Sequence, residues 1–205
     1  MKPTKIICVG RNYAAHAREL GNEVPDRPLL FLKPPSSVIG SGDAILLPPE
    51  SKQVEHEAEI GVVIARRARH VSESEALRCI VGYAPLNDVT ARDLQRLDVQ
   101  FTRGKGFDSF CPLGLPRAAA DWRALEVRCH VNGELRQYGR ARDMVFGIPR
   151  LIAYISRIMT LEPGDVIATG TPEGVGPLRD GDRVEVLVEG VGSIWNPVRS
   201  DAPPR

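Results

Sequence analysis

Short apolar runs, closed by Gly, Pro, Asn or Asp, recur along the chain. Runs rich in Val and Ile between such residues read as strands. The pattern predicts strands over Ile6–Val9, Leu29–Leu32, Ile45–Leu47, Val81–Leu86, Leu125–Val131 and Glu134–Gln137. It predicts others over Val166–Thr169, Arg183–Val188 and Ser193–Val198, with Val54–Ala65 as the longest. Asn132-Gly133, between two such runs, is a strong tight-hairpin signal. Helical spacing is clearest over Pro149–Thr160, where Leu151, Ile152, Ile155, Ile158 and Met159 define one apolar face. Pro149 suits the first helical position. Ala14–Leu20 is a shorter helix, and Ser72 with Glu75 forms a capping box that opens another. Gly21–Arg27 is polar and holds Gly and Pro, so it reads as a loop. Leu94–Cys111 has neither period and stays unassigned. The ends, about 1–5 and 200–205, are expected to fray.

Composition narrows this picture. Gly (19) and Pro (17) fill more than a sixth of the 205 positions, against an average of about 12%. With aromatics at only 5%, this favours many short strands and tight turns over a helical bundle. No repeat or composition shift divides the chain, so one domain over 1–205 is expected. Lys and Arg number 27 against 26 Asp and Glu, a net charge of +1. That balance gives no footprint for nucleic acid or an anionic membrane surface. No apolar stretch is long enough for a membrane helix, and the run after Lys5 is too short for a signal-peptide core. Cys8, Cys79, Cys111 and Cys129 are scattered without a CxxC pair, as in reduced cytoplasmic proteins. Cys111, in Phe110-Cys111-Pro112, has no activating neighbour in sequence and is not favoured as a nucleophile.

The chemistry concentrates in a few segments. On a strand, residues two apart share a face, so Glu55, Glu57 and Glu59 line up and lead into the apolar run Ile60–Ile64. Carboxylates entering a core repel each other and lose hydration, which a divalent cation would offset. The plain alternative is an edge strand with a solvated acidic face. Glu55, furthest from the apolar run, is the expected solvent residue, and His56 points to the other face. Asp88 follows an apolar strand, where it can project into a cleft. Three carboxylates from two segments make an all-oxygen site, suited to Mg²⁺, Mn²⁺ or Ca²⁺ rather than zinc. Asp93 reads as structural, a cap or an arginine partner. His16 and Glu19 stand i, i+3 on a helix. A carboxylate beside an imidazole suits a general base, although a surface helix can carry such a pair without function. Lys33 and Lys105 are each a counter-charge to these acids or an anion binder, and Lys105 is the one expected to function. Arg11 and Tyr13 read as loop structure. Thr171 is a binder or simply the turn residue before Pro172. Thr169-Gly170-Thr171-Pro172 lacks the ending of a phosphate-binding loop.

Taken in order, these motifs resemble the fumarylacetoacetate hydrolase family, in particular its short single-domain members. The resemblance rests on Gly10-Arg11-Asn12-Tyr13 with His16 and Glu19, Phe31-Leu32-Lys33-Pro34, and Glu57-Ala58-Glu59-Ile60-Gly61-Val62-Val63. It continues through Asn87-Asp88-Val89-Thr90-Ala91-Arg92-Asp93-Leu94-Gln95, Gly104-Lys105-Gly106-Phe107-Asp108, Val131-Asn132-Gly133 and Thr169 to Gly176. It implies an α+β, predominantly β fold, a mixed β-sandwich roll with a few short helices, usually as a homodimer. It implies Mg²⁺ or Mn²⁺ at Glu57, Glu59 and Asp88, with Ca²⁺ as a substitute, and a small 2-oxo-acid substrate. By the same resemblance His16 with Glu19 activates water, Lys105 contacts the metal-bound substrate, and Arg92 with Gln95 bind it. Thr171 and Gly170 lie in a glycine-rich loop that would hold its carboxylate. Close relatives often carry His-His-Glu where this chain has Glu55-His56-Glu57, which leaves the role of Glu55 open. The expected reaction is cleavage of an acylpyruvate such as acetylpyruvate or fumarylpyruvate to pyruvate and an acid. The alternatives are oxaloacetate decarboxylation or tautomerisation, an isomerase of aromatic catabolism acting on 2-hydroxyhepta-2,4-diene-1,7-dioate, or a non-catalytic protein with a structural cation. The polar segment Glu19–Asp26, directly after the His16 helix, is expected to form a lid.

Overall fold

A computed structural model describes residues 3–201. Its first sheet combines β1 (Ile6–Gly10), β2 (Leu29–Lys33), β6 (Ala58–Ile64), β7 (Ile80–Asn87) and β12 (Val166–Ala168) in the order β2-β1-β12-β6-β7. β1 runs parallel to β12 and the other pairs are antiparallel, so the sheet is mixed. The second sheet orders β11 (Glu134–Arg140), β10 (Glu126–Val131), β14 (Arg183–Val188), β15 (Gly192–Ser200) and β4 (Ile45–Leu47). β6 and β7 pack against strands of this second sheet, which makes a sandwich of the expected class. Two small sheets complete it: β13 (Gly176–Pro177), β5 (Val54–His56) and β8 (Thr90–Ala91), and the pair β3 (Val38–Ile39) and β9 (Cys111–Pro112).

Alternation along the strands divides the core. Ile7 and Val9 of β1 join the main cluster with Ile60, Val62, Val127, Val186 and Ile194. Ile6 and Cys8, pointing the other way, join a smaller cluster with Leu86, Cys111, Val166 and Ala168. Both faces of this sheet are therefore buried. The helices are short: α1 (Ala14–Glu19), α2 (Glu73–Ala76), α3 (Arg92–Leu97), α4 (Thr102–Lys105) and α5 (Ile148–Ile158). α5 buries Ile148, Leu151, Ile152 and Ile155, as the spacing predicts, whereas Ile158 ends the helix and is exposed. The hairpin between β10 and β11 turns through Asn132 (φ 54) and Gly133 (φ 83). Both are left-handed, as the tightest hairpin turn requires.

Several expectations change. Val54–Ala65 is not one strand; it breaks at Glu57 into β5 and β6, which belong to different sheets. The unassigned stretch contains α3, α4 and β9, each too short to show a period. Thr4, Lys5 and Ser200 are tied rather than frayed. Thr4 and Lys5 bond the buried Asp165 carboxylate, and Ser200 lies in β15. Pro3 is buried and the Asp201 N–H donates to the Leu47 carbonyl (3.0 Å), while the rest of the expected frayed ends, 1–2 and 202–205, lies outside the described residues. Among the described residues, no helix is long and apolar enough to cross a membrane.

Candidate active site

β1 ends in a turn that Asn12 locks. Its amide donates to the carbonyls of Phe146 (3.1 Å) and Thr169 (2.7 Å) and accepts from the Phe146 N–H (2.8 Å). α1 then places His16 and Glu19 on one face. His16 Nδ1 lies 3.0 Å from Glu19 Oε2, and the Gly174 N–H donates to Glu19 Oε1 at 2.9 Å. His16 is buried while Glu19 reaches towards solvent. A carboxylate at Nδ1 leaves Nε2 to serve as the base.

The opposite wall is built at the strand break. The Glu57 N–H donates to Asn87 Oδ1 (2.9 Å), and the Asp88 N–H donates to the Glu57 carbonyl (2.8 Å). Asn87 is paired with Ala58 in the β6–β7 register, which brings Asp88 level with Glu57. Glu57, Glu59 and Asp88 each offer a buried carboxylate oxygen within 4.8 Å of the other two. Lys105 Nζ donates to Glu57 Oε2 and Asp88 Oδ2, both at 2.7 Å. Lys33 Nζ donates to Asp88 Oδ1 (2.6 Å) and the Val89 carbonyl (3.0 Å). Arg92 pairs with Glu55 (2.7 Å) and Glu57 and also donates to Gln95 Oε1 (2.6 Å).

Electrostatics sets Glu59 apart. Burial alone would raise the Glu57 pKa, but Lys105 and Arg92 outweigh it and hold Glu57 well below the usual carboxylate range. Burial also opposes the charge on Lys105, and Asp88 and Glu57 restore it, leaving its pKa raised. Among the described residues, Glu59 has only the Gly170 N–H as a hydrogen-bond partner (2.7 Å). Burial, followed by the charges of Asp88 and Glu57, pushes its pKa well up. A cation between the three carboxylates would reverse that. The all-oxygen donor set fits Mg²⁺ or Mn²⁺.

Both walls face one cleft of about 390 Å³, lined by His16, Glu19, Glu57, Glu59, Asp88, Arg92, Gln95, Lys105 and Thr171. That volume suits a small metabolite. Gly170 does not line the cleft; it stands behind, holding Glu59. Its left-handed backbone (φ 99) and a hypothetical Cβ only 2.7 Å from Asn12 Cβ leave room for glycine alone. Thr171 Oγ1 donates to the Ala58 carbonyl (2.9 Å) and accepts from Gln137 Nε2 (2.7 Å).

Glu55 is a correction: it is 6% exposed, not solvated, because Arg92 from α3 covers it. His56 faces away from the ligands, as expected, with Nδ1 on Gln137 Oε1 (2.9 Å). Asp93 is structural, bonded to Ser51 and the Lys52 N–H rather than to an arginine. Burial pushes the Cys111 thiol up to about 12, which removes it as a nucleophile at neutral pH. Lys33 is 1% exposed and acts as a counter-charge to Asp88. Sequence reasoning missed Asn12, Asn87 and Gln137. Their signal was faint: a polar residue at an inward strand position or beside a turn.

The model of the fumarylacetoacetate hydrolase C-terminal family matches residues 5–199. The chain is 48% identical to oxaloacetate tautomerase FAHD1, mitochondrial, of Arabidopsis thaliana, across 93% of this chain and 89% of that protein. Among solved structures it resembles 5-carboxymethyl-2-hydroxymuconate delta-isomerase from Mycobacterium smegmatis (TM-score 0.92, 46% identity, 99% of this chain, 81% of that chain). It also resembles fumarylpyruvate hydrolase from Pseudomonas aeruginosa in complex with Mn²⁺ and pyruvate (TM-score 0.91, 31% identity, 97% of this chain, 91% of that chain).

Proposed function

The chain belongs to the fumarylacetoacetate hydrolase family, and from that premise we propose a divalent-metal-dependent enzyme that hydrolyses an acylpyruvate to pyruvate and a carboxylic acid. One observation carries the reading: the His16–Glu19 pair and the Glu57, Glu59, Asp88 cluster face each other across one cleft. Glu57, Glu59 and Asp88 would hold Mg²⁺ or Mn²⁺. When bound, the ion supplies a Lewis acid for the negative charge that develops on the 2-oxo acid.

The chain's own groups do the rest. His16 Nε2 takes a proton from water, and Glu19 at Nδ1 stabilises the resulting imidazolium. The water oxygen bonds to the acyl carbon, and the C–C bond breaks with its electron pair passing to the pyruvate fragment. The proton held by His16 then passes to the methylene carbon of the pyruvate fragment, which becomes its methyl group, while the acyl fragment leaves as the carboxylic acid. Lys105, at the cluster, adds a fixed positive charge beside the developing anion. Arg92 holds Glu55, Glu57 and Gln95 in register, and Thr171, at the cleft, receives the substrate carboxylate while Gly170 behind it holds Glu59.

A second reading, keto–enol exchange of oxaloacetate, is favoured by the 48% identity to the Arabidopsis tautomerase. It uses the same electron sink and a proton transfer but no attack by water. The test is turnover of acylpyruvates and oxaloacetate with Mg²⁺ or Mn²⁺, in the wild type and in His16→Ala. We expect His16→Ala to lower pyruvate release from acylpyruvate by about 10²–10⁴-fold. Retained oxaloacetate turnover in the variant would separate the two uses, whereas turnover of neither substrate by the wild type would overturn both.

A further inference from the structure

Phe31 lines the cleft, yet the proposed reaction gives it no part. It stands on β2, the outermost strand of the first sheet, two residues before Lys33. Residues two apart on a strand share a face. One face of β2 therefore delivers both the counter-charge to Asp88 and an aromatic ring. Phe101, just before α4, meets that ring edge-on, with centroids 5.5 Å apart and planes at 78°. Such a T-shaped pair is a favoured aromatic geometry, and it fixes the tilt of the Phe31 ring.

Lys105, at the end of α4, lies over the face so fixed, its Nζ 5.0 Å from the Phe31 ring centroid. α4 packs closely on α3 to bring it there: a Cβ on Gly104 would stand 2.9 Å from the backbone N of Gln95. The ammonium donates to Glu57 and Asp88, both at 2.7 Å, and among the described residues it has no third acceptor. An ammonium carries three N–H donors. The negative face of the ring takes up the remaining charge. Lys33 and Phe110 repeat the pairing at 5.9 Å, but they stand outside the lining of the cleft. Lys105 and Phe31 both line it. A divalent ion at the cluster would draw on the same Glu57 and Asp88 carboxylates that hold Lys105. The ring is a partner for which no cation competes there.

We infer that Phe31 is a positioning residue for Lys105: its ring face keeps the flexible ammonium at the cleft while the carboxylates serve the ion. This rests on the proposed function, in which Lys105 offsets the developing anion. Phe31 acts through Lys105, so its effect falls on the step in which that anion forms.

The test replaces Phe31 by mono-, di- and trifluorophenylalanine, which drains negative charge from the ring face while nearly keeping its size. Acylpyruvate turnover with Mg²⁺ should show kcat falling stepwise, by about threefold to thirtyfold across the series. KM should stay within about twofold, because the interaction matters most once the anion develops. Oxalate, a planar dianion shaped like the pyruvate enolate, should lose calorimetric affinity in parallel. A flat kcat overturns the inference, since a packing role follows size and not ring charge. A rising kcat overturns it too, since the ring would then face the anion itself. In the metal-free protein, the Lys105 Hε resonances should lie upfield through the ring current of Phe31, and resonances at their ordinary position overturn the inference. A wild type that turns over no acylpyruvate overturns the proposed function instead. The oxalate titration then decides Phe31 on its own: stepwise loss of affinity supports the role, and equal affinities overturn it.

Discussion

Gln137 carries more of the site than its position on a hairpin strand suggests. Its Oε1 accepts from the Ala58 N–H (3.0 Å) and lies 2.9 Å from His56 Nδ1, while Nε2 donates to Thr171 Oγ1 (2.7 Å) and the Pro172 carbonyl (2.8 Å). One buried amide from the second sheet thus ties the residue between Glu57 and Glu59 to the loop after Gly170. Gln137→Leu would leave the Ala58 N–H and the Pro172 carbonyl without that partner. Each unpaired buried group costs about 1–3 kcal/mol, so urea unfolding should show a loss of about 2–6 kcal/mol. A loss under about 0.5 kcal/mol, the range of ordinary surface changes, would contradict this account. At this scale legibility followed sequence distance. His16 and Glu19 were readable because a helix brings i and i+3 together. Glu55 was misplaced because its partner Arg92 arrives from α3, 37 positions along the chain.

At the scale of elements, the segment after α1 is the least secured part of the cleft. Leu20 and Asn22 line it, yet beyond Asn22 the next regular element is β2. Closure of Glu19–Asp26 over bound substrate would exclude water and seat His16. Hydrogen exchange of these amides should slow by about tenfold or more with oxalate and Mg²⁺ present, as ordering of a loop requires. Unchanged exchange would remove the lid. The strand break at Glu57 shows why element boundaries were harder to read than element types. Val54 to Ala65 is apolar enough for one strand, and the break is made by side chains outside it, Asn87 and Gln137, bonding the Glu57 and Ala58 N–H groups. Strands flanked by Pro, Gly or Asn-Gly were legible because those residues act locally. α3 and α4 span too few residues to display a repeat.

For the whole molecule, turn-rich composition indicated short strands, but sheet order was beyond it. β1 pairs with β12 across most of the chain, and no local pattern encodes that. The two cores, one on each face of the first sheet, are built from apolar side chains and include none of the three carboxylates. EDTA should therefore abolish turnover while leaving the far-ultraviolet circular dichroism and the cooperative melt in place. Collapse of the dichroism on chelation would instead favour a structural cation. The lysines bear on this outcome. Lys33 and Lys105, both fully buried, already hold Asp88, and Lys105 also holds Glu57. The order of events in biosynthesis follows from that arrangement. The polypeptide can reach its native state first and take up its ion afterwards, because internal ammonium groups keep two of the acids from repelling each other in the interval. On the proposed function, metallation would then be a late, reversible step, and the ion held would reflect which one the surroundings supply.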